Sequence, residues 1–253
     1  MIIVSNVVNL VMRVLPPRLR FRLVLRRIDR WGTFEQGYHL LELLVDHRRC
    51  AIDVGANEGY YAGKMARYTS RVHCFEPIPW MAGDLASKLP RNVVLHRAAA
   101  SDRSGTACLR IPYRGNVALH GTATIEAKNE LGGTTHTRDL DCKLVTLDQV
   151  IEEPVGFIKI DVEGHELAVL KGAVRLLQRC QPIVLIESER RHHPDAPENV
   201  FEFFAERGYV GLALIDNRLC SLDGFDALRH QASDRKGRHY VNNFLFLPPV
   251  DKE

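Results

Sequence analysis

The run Lys159-Ile160-Asp161-Val162-Glu163-Gly164-His165-Glu166 puts Asp161, Glu163 and His165 within five residues of one another. Carboxylates and an imidazole so close together can orient a cationic ligand, hold a metal ion or move a proton. Upstream, Phe157 to Asp161 reads as a short buried strand. Downstream, Leu167, Leu170, Val174 and Leu177 recur at helical spacing and predict a helix from Leu167 to Arg179. The polar groups therefore fall where a strand hands over to a helix, the edge at which open α/β sheets bind ligands.

A second constellation lies a hundred residues earlier. Ala51-Ile52-Asp53-Val54-Gly55-Ala56-Asn57-Glu58-Gly59 is a strand ending in a glycine-bearing turn that opens a helix. Glycine lets the backbone turn sharply and lets a ligand approach closely. Asn57 stands where the second glycine of the dinucleotide fingerprint G-x-G-x-x-G would be, which argues against a pyrophosphate and against a nucleotide-cofactor oxidoreductase. Val72-His73-Cys74-Phe75-Glu76-Pro77 then ends in an acid 23 positions after Asp53. A carboxylate at that place is positioned to accept hydrogen bonds from both ribose hydroxyls of an adenosine.

These groups need a scaffold, and the chain can supply one. Its 253 residues, 45% hydrophobic, suffice for one substantial core. From residue 50 short apolar runs alternate with helical patterns, the signature of a parallel sheet covered by helices. The expected strands are Cys50 to Val54, Val72 to Phe75, Val93 to His96, Phe157 to Asp161, Ile183 to Glu187, Tyr209 to Leu214 and Phe244 to Leu247. Helices are expected over Tyr60 to Tyr68, Trp80 to Leu89 and Glu198 to Arg207, besides the one already named. Asp102-Arg103-Ser104-Gly105 reads as a turn into an extra strand, Thr106 to Ile111. The segment 112–138 loses hydrophobic rhythm and reads as a long loop, and 216–240 as a second polar interruption.

Together, Asp53 to Gly59, Phe75-Glu76-Pro77, Ala99-Ala100-Ser101-Asp102 and Lys159 to Glu166 followed by Val169-Leu170-Lys171-Gly172-Ala173 resemble the FkbM-type methyltransferase family. The resemblance runs from about Arg49 to about Glu189, with a weaker echo at Asn243-Phe244. It implies a class I methyltransferase (Rossmann-like) α/β fold, a seven-stranded sheet with its last strand antiparallel and helices on both faces. It further implies S-adenosylmethionine as methyl donor and a hydroxyl of a small molecule or glycan, typically a sugar, as acceptor. By that likeness Gly55, Ala56, Asn57 and Gly59 would surround the methionine part, Glu76 the ribose, and Ile78, Ala98 and Ala99 the adenine, with Asp53 and Pro77 also among the cofactor-binding residues. An adenosyl-binding module without catalysis is the alternative, against which Asp161, Glu163 and His165 weigh.

Transfer to an alcohol requires a group to take the hydroxyl proton. His165 is the first candidate because imidazole titrates near neutrality. Glu163 is its rival, and Asp161 would orient the methionine ammonium or the acceptor. Glu163 and Glu166 could instead only complement the positive end of the helix that follows. Asp161 and Glu187 could also complete an oxygen-ligand site for Mg²⁺. His192 and His193, in a polar loop, read as surface residues. The insertion 112–138, with His120 and His136, would close over the acceptor as a lid, or else only protect a sheet edge.

Residues 1–48 form a basic extension to the methyltransferase domain at 49–253. Seven arginines between Arg13 and Arg30 alternate with Leu15, Leu19, Phe21, Leu23, Val24, Leu25 and Ile28. Such an amphipathic helix over residues 1–31 would lie on an anionic membrane, or pack on the body of the protein or on a second copy. A net charge of +3 is too mild to point to nucleic acid, and no Asn/Asp-Pro-Pro-aromatic element follows the fourth strand. The apolar start is broken by Ser5, Asn6 and Asn9, is too short to span a bilayer and lacks a cleavage pattern. Six scattered cysteines show no metal or redox spacing, and a cytoplasmic protein, peripheral at most, is expected.

Overall fold

A computed structural model describes residues 14–215, 218–232 and 240–249. The apolar start and Arg13 lie outside the described residues, as does part of the second polar interruption. In chain order the strands are β1 (Cys50–Val54), β2 (Val72–Phe75), β3 (Val93–His96), β4 (Ala99–Ala100), β5 (Gly105–Arg114) and β6 (Val117–Ala118). They continue with β7 (His136–Val145), β8 (Val155–Ile160), β9 (Ile183–Glu187), β10 (Val210–Ile215), β11 (Arg218–Ser221) and β12 (Asn243–Leu247).

Eight of these form the central sheet in the order β11-β10-β12-β9-β8-β1-β2-β3. Pairing is parallel from β3 through β2, β1 and β8 to β9, and β12 runs antiparallel to both β9 and β10. The seven expected strands are all present with the last reversed. The eighth, β11, is a short hairpin partner of β10 whose residues are mostly exposed, so no buried alternation announces it. Because β1 is flanked by β2 on one side and β8 on the other, the chain reverses its winding there, and a crevice opens at their carboxyl ends.

β1, β2 and β8 are buried along their whole length, as strands covered on both faces must be. One apolar cluster, with Ile52, Ile158, Val169, Leu176 and Phe244, fills one side of the sheet; another, with Leu41, Ala51, Met65, Phe157 and Leu185, fills the other. The helix expected over Leu167 to Arg179 is divided into Glu166–Lys171 and Val174–Cys180. A Cβ on Gly172 would overlap the carbonyl oxygen of Ser101, so the helix breaks where the backbones touch. Asp148 then caps the second piece, its Oδ1 and Oδ2 accepting from the amides of Leu176 and Arg175 at 2.8 and 3.1 Å.

The insertion 112–138 springs from a second sheet and itself carries, of the strands, only β6 and the ends of β5 and β7. β4, β7, β5 and β6 make a second, four-stranded sheet, with β5 and β7 antiparallel over their full length. Leu109 and Ile111 on β5 and Cys142 and Leu144 on β7 alternate inward against Ile78 and Met81. The alternation supplies the cohesion that the charged residues between had concealed.

The basic helix spans Pro17–Trp31 and buries Phe21, Leu25 and Ile28 against the helices Tyr60–Met65 and Pro79–Lys88. Phe21 stacks on Tyr60 with centroids 6.0 Å apart. The buried stripe of this helix is taken up by the domain itself, and its outward face carries Arg18, Arg22, Arg26, Arg27 and Arg30 together with Leu19 and Trp31. Among the described residues no helix is long and apolar enough to cross a membrane. Phe21→Ala is expected to destabilise by about 3 kcal/mol and to speed proteolytic release of this helix; unchanged cleavage would contradict the packing described.

Candidate active site

The site is built around the turn after β1. Gly55 and Gly59 have φ of 81° and 76°, and Asn57, though not glycine, has φ of 46°. A Cβ on Gly55 would overlap the carbonyl oxygen of Asp161, so the close approach of the two strand ends admits only glycine there. The amides of Gly55 and Ala56 donate to Phe75 O at 3.2 and 3.0 Å, drawing the end of β2 into the same corner. Asp53 is buried beneath the turn and its Oδ2 accepts from the Ala62 amide at 2.8 Å, tying the following helix to β1.

Glu76 ends β2 and is 4% exposed. Its Oε2 accepts from the Asn57 amide and its Oε1 from the Ile78 amide, each at 2.9 Å. Burial pushes its carboxyl up to about 7, and the two amides work in the opposite direction. The carboxylate is thus fixed in place, with lone pairs left over for a ligand.

A cavity, partly open to solvent, lies in front of these groups, lined by Gly55, Asn57, Glu76, Ile78, Asp161 and His165 among others. Gly121, Ala123 and Ile125 from the insertion form its outer wall. Beyond the Gly55–Asn57 turn a second cavity adjoins it, sharing Gly55, Asn57 and Asp161 and adding Glu35, Asp53, Tyr61 and Lys159.

The second cavity is rich in buried charge. Lys159 is 1% exposed, with Nζ 3.7 Å from Asp161 Oδ2 and 5.2 Å from the centre of the Tyr61 ring. Burial alone would lower its pKa, but Asp161, Glu187, Glu35 and Asp53 outweigh it and raise the ammonium above its ordinary value. Tyr61 donates to Glu35 Oε2 at 3.0 Å. Burial raises Glu35, pushes Asp53 up to about 7 and holds Glu187 well above the usual carboxylate range. Four carboxylates thus face one ammonium, and the crevice favours a cationic guest.

On the other side, His165 Nε2 is 2.9 Å from Ser101 Oγ, which itself lies 3.2 Å from Asp102 Oδ1. If the hydroxyl donates to Asp102, its oxygen accepts from Nε2–H, and Nδ1 keeps a lone pair. Nδ1 has no hydrogen bond among the described residues and stands 3.9 Å from Glu126 Oε2. Burial lowers the pKa of this imidazole, which favours the neutral form that can accept a proton.

Glu163 is a non-glycine residue with φ of 55°, held by Thr124 Oγ1 and Asn129 Nδ2, which donate to its carbonyl at 2.7 and 2.9 Å. Its Oε2 lies 2.7 Å from His192 Nε2, a charge contact without good hydrogen-bond alignment. Burial disfavours a charged His192, yet Glu163 and Glu189 bring it to about 9, while an Asn129 amide donating to Nδ1 at 2.9 Å favours the neutral ring. The amide is the firmer guide, because Asn129 is oriented at three points, its Oδ1 also accepting from the Leu131 amide. Glu166 is buried at the start of its helix and accepts from the Gly164 amide at 2.9 Å, which makes it structural.

The structure gathers Gly55, Asn57, Glu76, Pro77, Ile78, Ala99, Asp161, Glu163 and His165 on one cavity, with Asp53 and Ala56 on the adjoining one. Ala98 packs in the core instead, and Gly59 packs against Leu85 and Leu89. Mg²⁺ between Asp161 and Glu187 is not supported, because the Lys159 ammonium supplies the positive charge there and Asn242 Nδ2 donates to Glu187 Oε1 at 2.6 Å. His192 is buried, not a surface residue; its partner Asn129 lies in the insertion, which no local pattern reveals. Glu35 and Tyr61 carry no local sequence signal as site residues, whereas Lys159 is marked by its place inside an otherwise apolar strand.

Residues 53–210, more than half of the chain, match the Methyltransferase FkbM domain, and the chain belongs to that family of methyltransferases. It is 31% identical over 137 residues to the hexuronic acid methyltransferase AglP of Haloferax volcanii, a match that spans 53% of each chain and so about half of that relative's length. Among solved structures it is similar to a methyltransferase FkbM from Methylobacillus flagellatus, with 17% identity, a TM-score of 0.49 and coverage of 86% of this chain and 46% of that one. An O-methyltransferase from Bacillus cereus is 14% identical with a TM-score of 0.47, covering 97% of each chain.

Gly55→Ala is expected to cost at least about 2 kcal/mol in denaturant unfolding, through its positive φ and the overlap with Asp161. Gly83→Ala, in an exposed helical position with open space around it, should instead stabilise by about 0.5–1 kcal/mol. Equal effects would refute the close approach at Gly55.

Proposed function

We propose that this methyltransferase uses S-adenosylmethionine and transfers its methyl group to a hydroxyl oxygen of an acidic sugar, such as a uronic acid within a glycan or glycolipid. The observation that carries the reading is Glu76, held by two amides at the end of β2 and facing the crevice at the carboxyl ends of β1, β2 and β8. The excess of carboxylate around Lys159 supports it, because the donor is cationic at both its sulfur and its ammonium. The hexuronic acid relative supports the acceptor class.

Bound there, S-adenosylmethionine would supply a methyl carbon made electrophilic by its positive sulfur. Glu76 would accept the ribose hydroxyls, Pro77 would line the ribose side, and Ile78 and Ala99 would cover the adenine. Asp161, which lines both cavities, would orient the ammonium, with Asp53 and Glu35 behind it. His165 Nδ1 would take the acceptor's proton, and Glu126 would favour the resulting imidazolium across 3.9 Å. Glu163, engaged by His192, would hold the acceptor side of the cavity. The insertion, anchored on the Glu163 carbonyl, would keep water away from the transfer.

Glu76→Ala should weaken binding of S-adenosylhomocysteine at least about tenfold, measured by calorimetry. His165→Ala should leave that affinity nearly unchanged and lower turnover at least about 100-fold. Unreduced turnover would pass the base role to Glu163.

Asp53 and Glu76, both pushed up to about 7, must be ionised to attract the cation and to accept the hydroxyls. Binding of the donor therefore favours their deprotonated forms, and its affinity should rise from pH 6 to pH 8 and fall as protons return. A flat profile would contradict these roles.

Labelled methyl donor offered to uronic-acid oligosaccharides and to their neutral counterparts tests the acceptor. A base-stable methyl ether on the acidic sugar is expected. Transfer only to neutral sugars, or a product lost in mild alkali as a carboxyl ester would be, overturns it.

A further inference from the structure

At the edge of the sheet away from the crevice, three ligating side chains converge without a role in methyl transfer. Cys50 opens β1, His73 is the second residue of β2, and Glu153 stands in the turn that leads into β8. One donor atom from each lies within 4.8 Å of the other two. His73 Nε2 and Glu153 Oε2 are 3.4 Å apart, the separation of two donors across a tetrahedral ion at about 2.0–2.1 Å.

His73 is 5% exposed, and its Nε2 has no hydrogen-bond partner among the described residues although it faces this cluster. Its other nitrogen, Nδ1, lies 3.0 Å from His96 Nε2. With His96 Nε2 as the acceptor, His73 Nδ1 carries the proton and donates. That arrangement fixes the tautomer in which the Nε2 lone pair is free, the support that metal-binding histidines receive from a second residue. Arg71 grips the other oxygen of Glu153 at 2.7 Å, turning Oε2 toward His73. Glu153 is also the partly exposed member and gives solvent an entry.

We propose that Cys50, His73 and Glu153 form a three-residue Zn²⁺ site, with water as the fourth ligand. A mixed sulfur, nitrogen and oxygen set suits this borderline-soft ion and not Mg²⁺ or Ca²⁺. Burial raises the Cys50 thiol, so the sulfur is protonated before binding. The ion forms its bond to sulfur as the S–H bond breaks, and the proton leaves to solvent with no change of oxidation state. The ion would join the starts of β1 and β2 to the turn before β8. Its role is to secure the sheet, independently of the transfer chemistry.

The wide spacing of the cysteines conceals such a site, since its ligands come from three separate segments.

The test uses the full chain, stripped with chelator and titrated with Co²⁺. One equivalent should produce the intense visible bands of tetrahedral Co²⁺ and a near-ultraviolet thiolate band; Zn²⁺ should then displace it and raise Tm. Cys50→Ser should abolish the thiolate band, His96→Gln should weaken binding about tenfold, and Cys108→Ser, which removes an exposed thiol, should change neither. Absence of the bands in the unsubstituted protein, or a thiolate band that survives Cys50→Ser, overturns the proposal. The unsubstituted readout does not depend on how the variants fold.

Discussion

The backbone contact between Gly55 and Asp161 is the constraint on which the site depends. Because no side chain can stand between them, the carboxyl ends of β1 and β8 come together at the point where the sheet reverses its winding. The glycine turn, the acid ending β2 and the polar run after β8 then meet in one crevice. Each is ordinary alone. Brought within reach of one another, they offer a fixed carboxylate on one side, a carboxylate-rich pocket below and a neutral imidazole opposite.

The crevice is paid for in electrostatics. Asp53, Glu76, Glu166 and Glu187 all have carboxyls raised by burial, and a single buried ammonium, Lys159, offsets part of that cost. Such an arrangement is poorly suited to an empty pocket and well suited to a cation. The insertion contributes in a different way. The sheet from which it springs packs on Ile78 and Met81 while its Thr124 and Asn129 hold the strained Glu163 backbone, so the wall over the site and the geometry beneath it are coupled.

Much of this was legible in sequence because buried parallel strands are continuous apolar runs with abrupt ends. β1, β2, β3 and β9 begin and end where their composition changes. What escaped depended on contacts between distant segments. The helix after His165 breaks at Gly172 because Ser101 lies against it, which periodicity cannot register. β7 was hidden by Arg138, Asp139, Asp141 and Lys143, although Leu140, Cys142 and Leu144 alternate between them in the manner of a half-buried strand. His192 looked like a solvated histidine because the residues that bury it come from the insertion and from Glu163. Glu35 and Tyr61 enter the site from elements whose local pattern is only helical packing.

The most direct measurement is a crystal structure of the protein with S-adenosylhomocysteine. The account predicts both ribose hydroxyls within hydrogen-bond reach of Glu76 and the amino-acid tail beside Asp161, with the sulfur turned toward His165. A nucleoside bound elsewhere, or a crevice filled by its own side chains under saturating ligand, would contradict it.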